Sequence, residues 1–112
     1  MAQEDSSFVL FAARGKQYSM SSSEIVRISY LSEDEVSPLP VEMTRVRGLI
    51  NQDGRPVLLT DPFGCHGTGL CIIARARSGE FAFLIDQTLR AQAAQDVSAE
   101  PVTEEALIAK IN

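Results

Sequence analysis

Turn-forming residues interrupt this sequence at short intervals, and the stretches between them are short, apolar and rich in β-branched and aromatic side chains. Phe8 to Ala12 is one such run, Gly15 offers a tight turn, and Gln17 to Met20 follows, which predicts a hairpin. Ser21 to Glu24 has the spacing of a capping box, in which a serine hydroxyl accepts from a free helix N–H while the glutamate reaches back. At most one helical turn fits there, because Val26, Ile28 and Tyr30 then alternate with Arg27 and Ser29 at strand period. Leu31 to Pro40 holds the acids Glu33, Asp34 and Glu35 and the prolines Pro38 and Pro40, and reads as a surface loop. Arg45 to Asn51 resumes strand character, Gln52, Asp53 and Gly54 supply a turn, and Arg55 to Asp61 completes a second hairpin.

Pro62 to Gly69 carries three glycines and a proline, a loop composition. Leu70 to Ala74 and Phe81 to Ile85 are apolar on both faces and are joined through Arg77 to Glu80, so they read as the two most buried strands. Phe81 and Phe83 are expected in the core with Phe8, Phe11 and Tyr18. Beyond Asp86 the chain turns Ala/Gln-rich, and Thr103 to Ile111 has an acidic first turn with Leu107, Ile108 and Ile111 at helical spacing, which predicts a short C-terminal helix. About seven short strands without βαβ alternation describe an all-β chain, a small barrel or a pair of packed barrels.

A length of 112 residues suits one domain, and 45% hydrophobic content is enough for a core of its own. The net charge of −5 argues against a nucleic-acid partner, which would demand clustered positive charge. No stretch approaches the roughly 20 apolar residues of a membrane span, so no direct membrane insertion is expected. The residues from Met1 to Ser7 lack a basic region followed by an apolar one, and the expectation is a cytoplasmic protein. In that reducing compartment Cys65 and Cys71 are expected as thiols.

Catalytic patterns are weak. A Ser-His-acid triad would need His66, the one histidine, yet no Gly-x-Ser-x-Gly elbow is present. Gly64 to Gly69 lacks the Lys-Ser/Thr of a phosphate loop and leads into a strand, which offers no helix N-terminus. Cys65, His66 and Cys71 could supply three zinc ligands with one open position, but adjacent Cys-His with one distant Cys departs from the usual paired spacing. A metal- or redox-linked domain is therefore the minority reading, and no enzyme activity, metal or cofactor is expected.

Three blocks, in order, resemble the CheW-like family of bacterial chemosensory adaptors. The first runs from Phe8 to Ser29, an apolar strand, a Gly turn, a Tyr-x-Met strand and then Ile25 to Ile28. The second runs from Pro38 through Arg47-Gly-Leu-Ile-Asn51 to Gly54 and Asp61, and the third pairs Leu70 to Ile73 with Phe83 to Asp86. The resemblance implies two small SH3-like five-stranded barrels sharing a core, with a short C-terminal helix after them. It divides the chain into a flexible N-terminus over 1–6, a CheW-like domain over 7–95 and a C-terminal segment over 96–112.

What the resemblance implies about function is an adaptor without chemistry, bridging the regulatory domain of a CheA-type histidine kinase and the signalling tip of a chemoreceptor, with recruitment to receptor arrays. On that basis Arg45, Val46, Arg47, Ile50, Asn51, Asp53, Gly54 and Arg55 are the candidate partner-binding residues. Of these, Arg47, Asn51, Asp53 and Arg55 are expected to set specificity, while Val46 and Ile50 mainly support the fold. Strand alternation places Arg45 and Arg47 on one face and Val46 and Gly48 on the other. The chain departs from the family where Asn-Leu-Arg-Gly is common: Asn51, Gln52, Asp53 and Gly54 stand there, an anion in place of a cation. Leu58 stands where proline is usual, and the loop from Pro62 to Gly69 is short. These departures suggest an alternative, a stand-alone module of the same fold that localises or inhibits a signalling or polarity complex.

Overall fold

A computed structural model describes residues 7–40, 45–65, 69–77, 79–93 and 99–111. Two residue pairs with positive φ set its hairpins. Arg14 (φ 53) and Gly15 (φ 79) join β1 (Phe8–Ala13) to β2 (Lys16–Ser21), and Asp53 (φ 53) and Gly54 (φ 83) join β4 (Val46–Gln52) to β5 (Arg55–Thr60). In each case two residues reverse the chain, the loop whose twist matches that of the flanking strands.

Between the hairpins, Ser22–Glu24 forms one 3-10 turn, and β3 (Ile25–Tyr30) follows. The capping box expected at Ser21 to Glu24 is not made: Ser21 Oγ pairs with Ser23 Oγ at 3.0 Å. The reciprocal bonds occur one turn later, in the acidic loop. There Ser32 N–H donates to Glu35 Oε1 at 2.8 Å and the Ser32 side chain faces the Glu35 N–H, while the main-chain bond from Glu35 N–H to Ser32 O at 3.0 Å folds Glu33–Glu35 into a second 3-10 turn. Both segments carry the Ser-x-x-Glu spacing; local spacing alone does not choose between them.

β6 (Leu70–Ala76) and β7 (Gly79–Leu84) pair along their lengths as expected, and β8 (Gln87–Gln92) returns to pair with β1. A two-residue strand, β9 (Glu100–Pro101), lies parallel to β2 and leads into α1 (Glu104–Ile111), the expected C-terminal helix. The pairings give one sheet in the order β8-β1-β2-β9 and a second in the order β3-β6-β7-β5-β4. The expected all-β pair of units on a common core is therefore present, as a four-stranded and a five-stranded sheet among the described residues. The assignments for residues 1–6, for His66 and for the boundary at 95 lie outside the described residues. Among them, no helix is long and apolar enough to cross a membrane.

One hydrophobic cluster serves both sheets. Phe63, in the loop after β5, lies 4.6 Å from the Tyr18 ring and 6.1 Å from the Phe11 ring of the first sheet, and 6.2 Å from the Phe83 ring of the second. Helix α1 closes over it, with Lys110 Nζ 5.7 Å from its ring and Leu107 buried. The backbone joins the sheets where β7 ends: Ile85 N–H bonds Leu70 O and Asp86 N–H bonds Ala12 O. Phe81 is half-buried and packs against this cluster, whereas Phe8, also expected in the core, is half-buried at the start of β1 and outside it. Phe63→Ala is expected to lower stability by about 3–5 kcal/mol, because three structural layers close on that ring, and denaturant unfolding measures it. Gly48 (φ 149) packs its α-carbon against the Ser37 carbonyl, with no room for a Cβ. Gly48→Ala is expected to cost more than about 1 kcal/mol in the same assay.

Candidate functional site

The eight candidate residues fall at the two ends of the β4–β5 hairpin, roughly 20 Å apart at the rise of an extended strand. At the base, Arg45 lies in the turn before β4 rather than in the strand, and a bulge between Val46 and Gly48 takes Arg47 out of the ladder. Simple alternation from 45 to 47 is thereby broken. Both arginines turn instead to the loop after β5. Arg45 Nη1 donates to Pro62 O at 2.8 Å, and Arg47 Nη1 lies 3.6 Å from Asp61 Oδ2. The buried Asp61 carboxylate also accepts the Cys65 N–H at 2.7 Å, and Arg14 Nη1 donates to Gly64 O at 3.1 Å. Arginines from two hairpins thus hold the loop that inserts Phe63 into the core.

At the tip the exposed groups gather. Asn51 Oδ1 accepts the Gly54 N–H at 2.7 Å and braces the turn, Asp53 is exposed, and Arg55 Nη2 pairs with Glu80 Oε1 at 2.9 Å. Ile50 is buried and Val46 half-buried. Exposed groups of the candidate set thus lie at the tip and, at the base, in Arg47, whose side chain stays exposed beside Asp61.

A groove missed by sequence reasoning adjoins the tip. The five-stranded sheet has β3 and β4 as its edges, and an opening of about 520 Å³ lies between them. Arg27, Ile50, Asn51, Gln52 and Ile73 line it. Gln52 is 2% exposed and its Oε1 has no hydrogen-bond partner. A glutamine just before an Asp-Gly turn carries no signal of burial, and the facing of β3 toward β4 depends on how the whole sheet curls.

Cys65 and Cys71 are free and buried. Burial, with Asp86 and Asp61 nearby, pushes the Cys65 thiol up to about 12, and burial pushes Cys71 up to about 11, although Arg27 acts in the opposite sense. Both are held as neutral thiols, whereas metal binding and nucleophilic attack use the thiolate. Among the described residues no group of three or more His, Cys, Asp or Glu is arranged to hold a metal ion. Since the unfolded thiols ionise near the ordinary value of 9.0, the thiols' contribution to stability is intact below that pH and lost between it and about 11 to 12. Denaturant titrations should show a steeper alkaline loss for the native chain than for a Cys65→Ala, Cys71→Ala variant.

No protein-family model matches the sequence, and no curated protein matches it significantly. In structure, the chain is similar to the scaffolding protein TtCheW from Thermoanaerobacter tengcongensis, with a TM-score of 0.69 at 18% identity. The match covers 90% of this chain and 75% of that one. Agreement over that extent shows that the chain has the CheW-like fold.

Proposed function

We propose that the protein is a non-enzymatic adaptor of a chemosensory signalling system, acting through protein contacts and coupling or modulating a chemoreceptor signalling tip and a CheA-type kinase regulatory domain. The observation that carries this reading is the likeness of fold to a scaffolding protein over 90% of the chain. Fold alone does not fix function, so the surface has to supply the rest. The exposed β4–β5 tip offers Asn51, Asp53, Gly54 and Arg55 as contact residues, and the neutral, buried cysteines offer no nucleophile. The cytoplasm is the compartment in which such an adaptor would work.

Asp53 favours keeping the second reading, a module of the same fold that localises or inhibits a complex. Its carboxylate stands in an exposed turn where the resemblance leads one to expect arginine. A sign change at an interface redirects partner choice, since like charges brought together cost several kcal/mol.

Pull-downs against a CheA-type regulatory domain and a chemoreceptor signalling domain should recover at least one, and capture of neither removes the coupling role. Whether the protein supports kinase activation in a reconstituted array separates coupling from inhibition. Asp53→Arg is expected to change the affinity for the captured partner by more than about 0.5 kcal/mol, beyond a neutral surface change. Arg14 adopts the same φ of 53 in the other hairpin, so an arginine is conformationally accepted in such a turn. Unchanged affinity takes Asp53 out of the interface.

A further inference from the structure

We propose that the groove between β3 and β4 takes up a short extended segment of a partner protein by strand addition, with a carboxylate of that segment on Arg27 and a hydrogen-bond donor on Gln52 Oε1. This deepens the adaptor reading and rests on it for the source of the segment. The opening of about 520 Å³ falls within the size range of ligand pockets.

Beyond one bridge, its rims are edge main chain that no described strand pairs. At one end Ser37 and Leu49 exchange both N–H···O bonds, at 2.8 Å each, so Leu49 turns its main-chain groups away from β5. By the strand period of two, Asn51 does the same, next to the opening. On β3, the bond from Leu31 N–H to Gly69 O sets the phase of the ladder with β6. In that phase Ile28 and Tyr30 turn their N–H and C=O groups away from β6. An extended segment bonds such rims; an α-helix, whose N–H and C=O groups are bonded internally, offers them nothing.

Two side chains define the chemistry of the segment. Arg27 pairs in register with Ile73, and both line the groove. Arg27 makes no ion pair or hydrogen bond with a described residue, while at the same groove Arg55 is held by Glu80, and the lining carboxylates of Asp34 and Glu35 accept from Ser32. Among the described residues Gln52 Nε2 reaches Asp53 Oδ2, at 3.5 Å, and its buried Oε1 has no donor. A buried carbonyl without a donor is costly, and an arginine fork binds a carboxylate well. Alternate residues of an added strand point to one face, so one could meet Arg27 and the next on that face Gln52.

The test is a phage-displayed library of random short peptides panned on the immobilised full chain. Enriched peptides should alternate, with Asp or Glu on the same strand face as Lys, Ser or Thr. Synthetic copies should lose about tenfold or more in affinity against Arg27→Glu and against Ile28→Pro. The proline removes the outward N–H of Ile28 and leaves the β6 ladder bonds in place. Gln52→Leu should weaken the same peptides while raising the melting temperature. Circular dichroism confirms folding, and if Ile28→Pro does not fold, Arg27→Glu and Gln52→Leu decide. Absence of enrichment, equal binding to the folded variants, or peptides that are helical when bound overturns the proposal. The library contains neither kinase nor receptor, so failure here and failure of the adaptor pull-downs are separate results.

Discussion

Phe63 is the side chain on which the two sheets depend. Neither a four-stranded nor a five-stranded sheet from a chain of 112 residues encloses much apolar surface alone, and the structure meets this by sharing one cluster between them. Phe63 can occupy that position only if the loop from Asp61 to Cys65 is held inward. Asp61 does this from below by accepting the Cys65 N–H, while Arg45 and Arg14 take loop carbonyls and Arg47 lies beside the carboxylate. A buried carboxylate is tolerable because donors surround it. The short loop thus contributes a core residue as well as a connection.

The same arrangement divides the hairpin β4–β5 between two tasks. At its base Arg45 is engaged in holding the loop, and Arg47 lies beside Asp61 with its side chain still exposed. Its tip carries only the brace from Asn51 to Gly54 and the exposed pair of Arg55 with Glu80, so Asp53 can differ without cost to the core. Edges are treated unequally as well. The first sheet ends in the mostly exposed, polar β8 on one side and the two-residue β9 on the other, whereas the edges β3 and β4 of the second border a groove.

Much of this was legible in the chain. Gly15 and the Asp53-Gly54 pair mark two-residue turns because few residues accept positive φ, and runs such as Leu70 to Ala74 are strands buried on both faces. The acidic first turn and apolar spacing near Leu107 mark the helix. β8 was not legible: its residues are mostly exposed, and its pairing with β1 is a main-chain affair that polar side chains do not report. Phe63 was hidden by its setting among prolines and glycines, and Gln52 by its place beside a turn.

Local chemistry therefore settled, from sequence alone, where the hairpins turn, which apolar runs extend and that the fold is all-β. Tertiary structure decided which polar groups are consumed and which are left over. Arg47 beside Asp61, Arg27 without an ion-pair partner among the described residues, and the unbonded Gln52 Oε1 follow from contacts between residues far apart in sequence. Such contacts depend on the bulge at Arg47, the curl that brings β3 opposite β4 and the loop that sends Phe63 inward, none of which has a local signature.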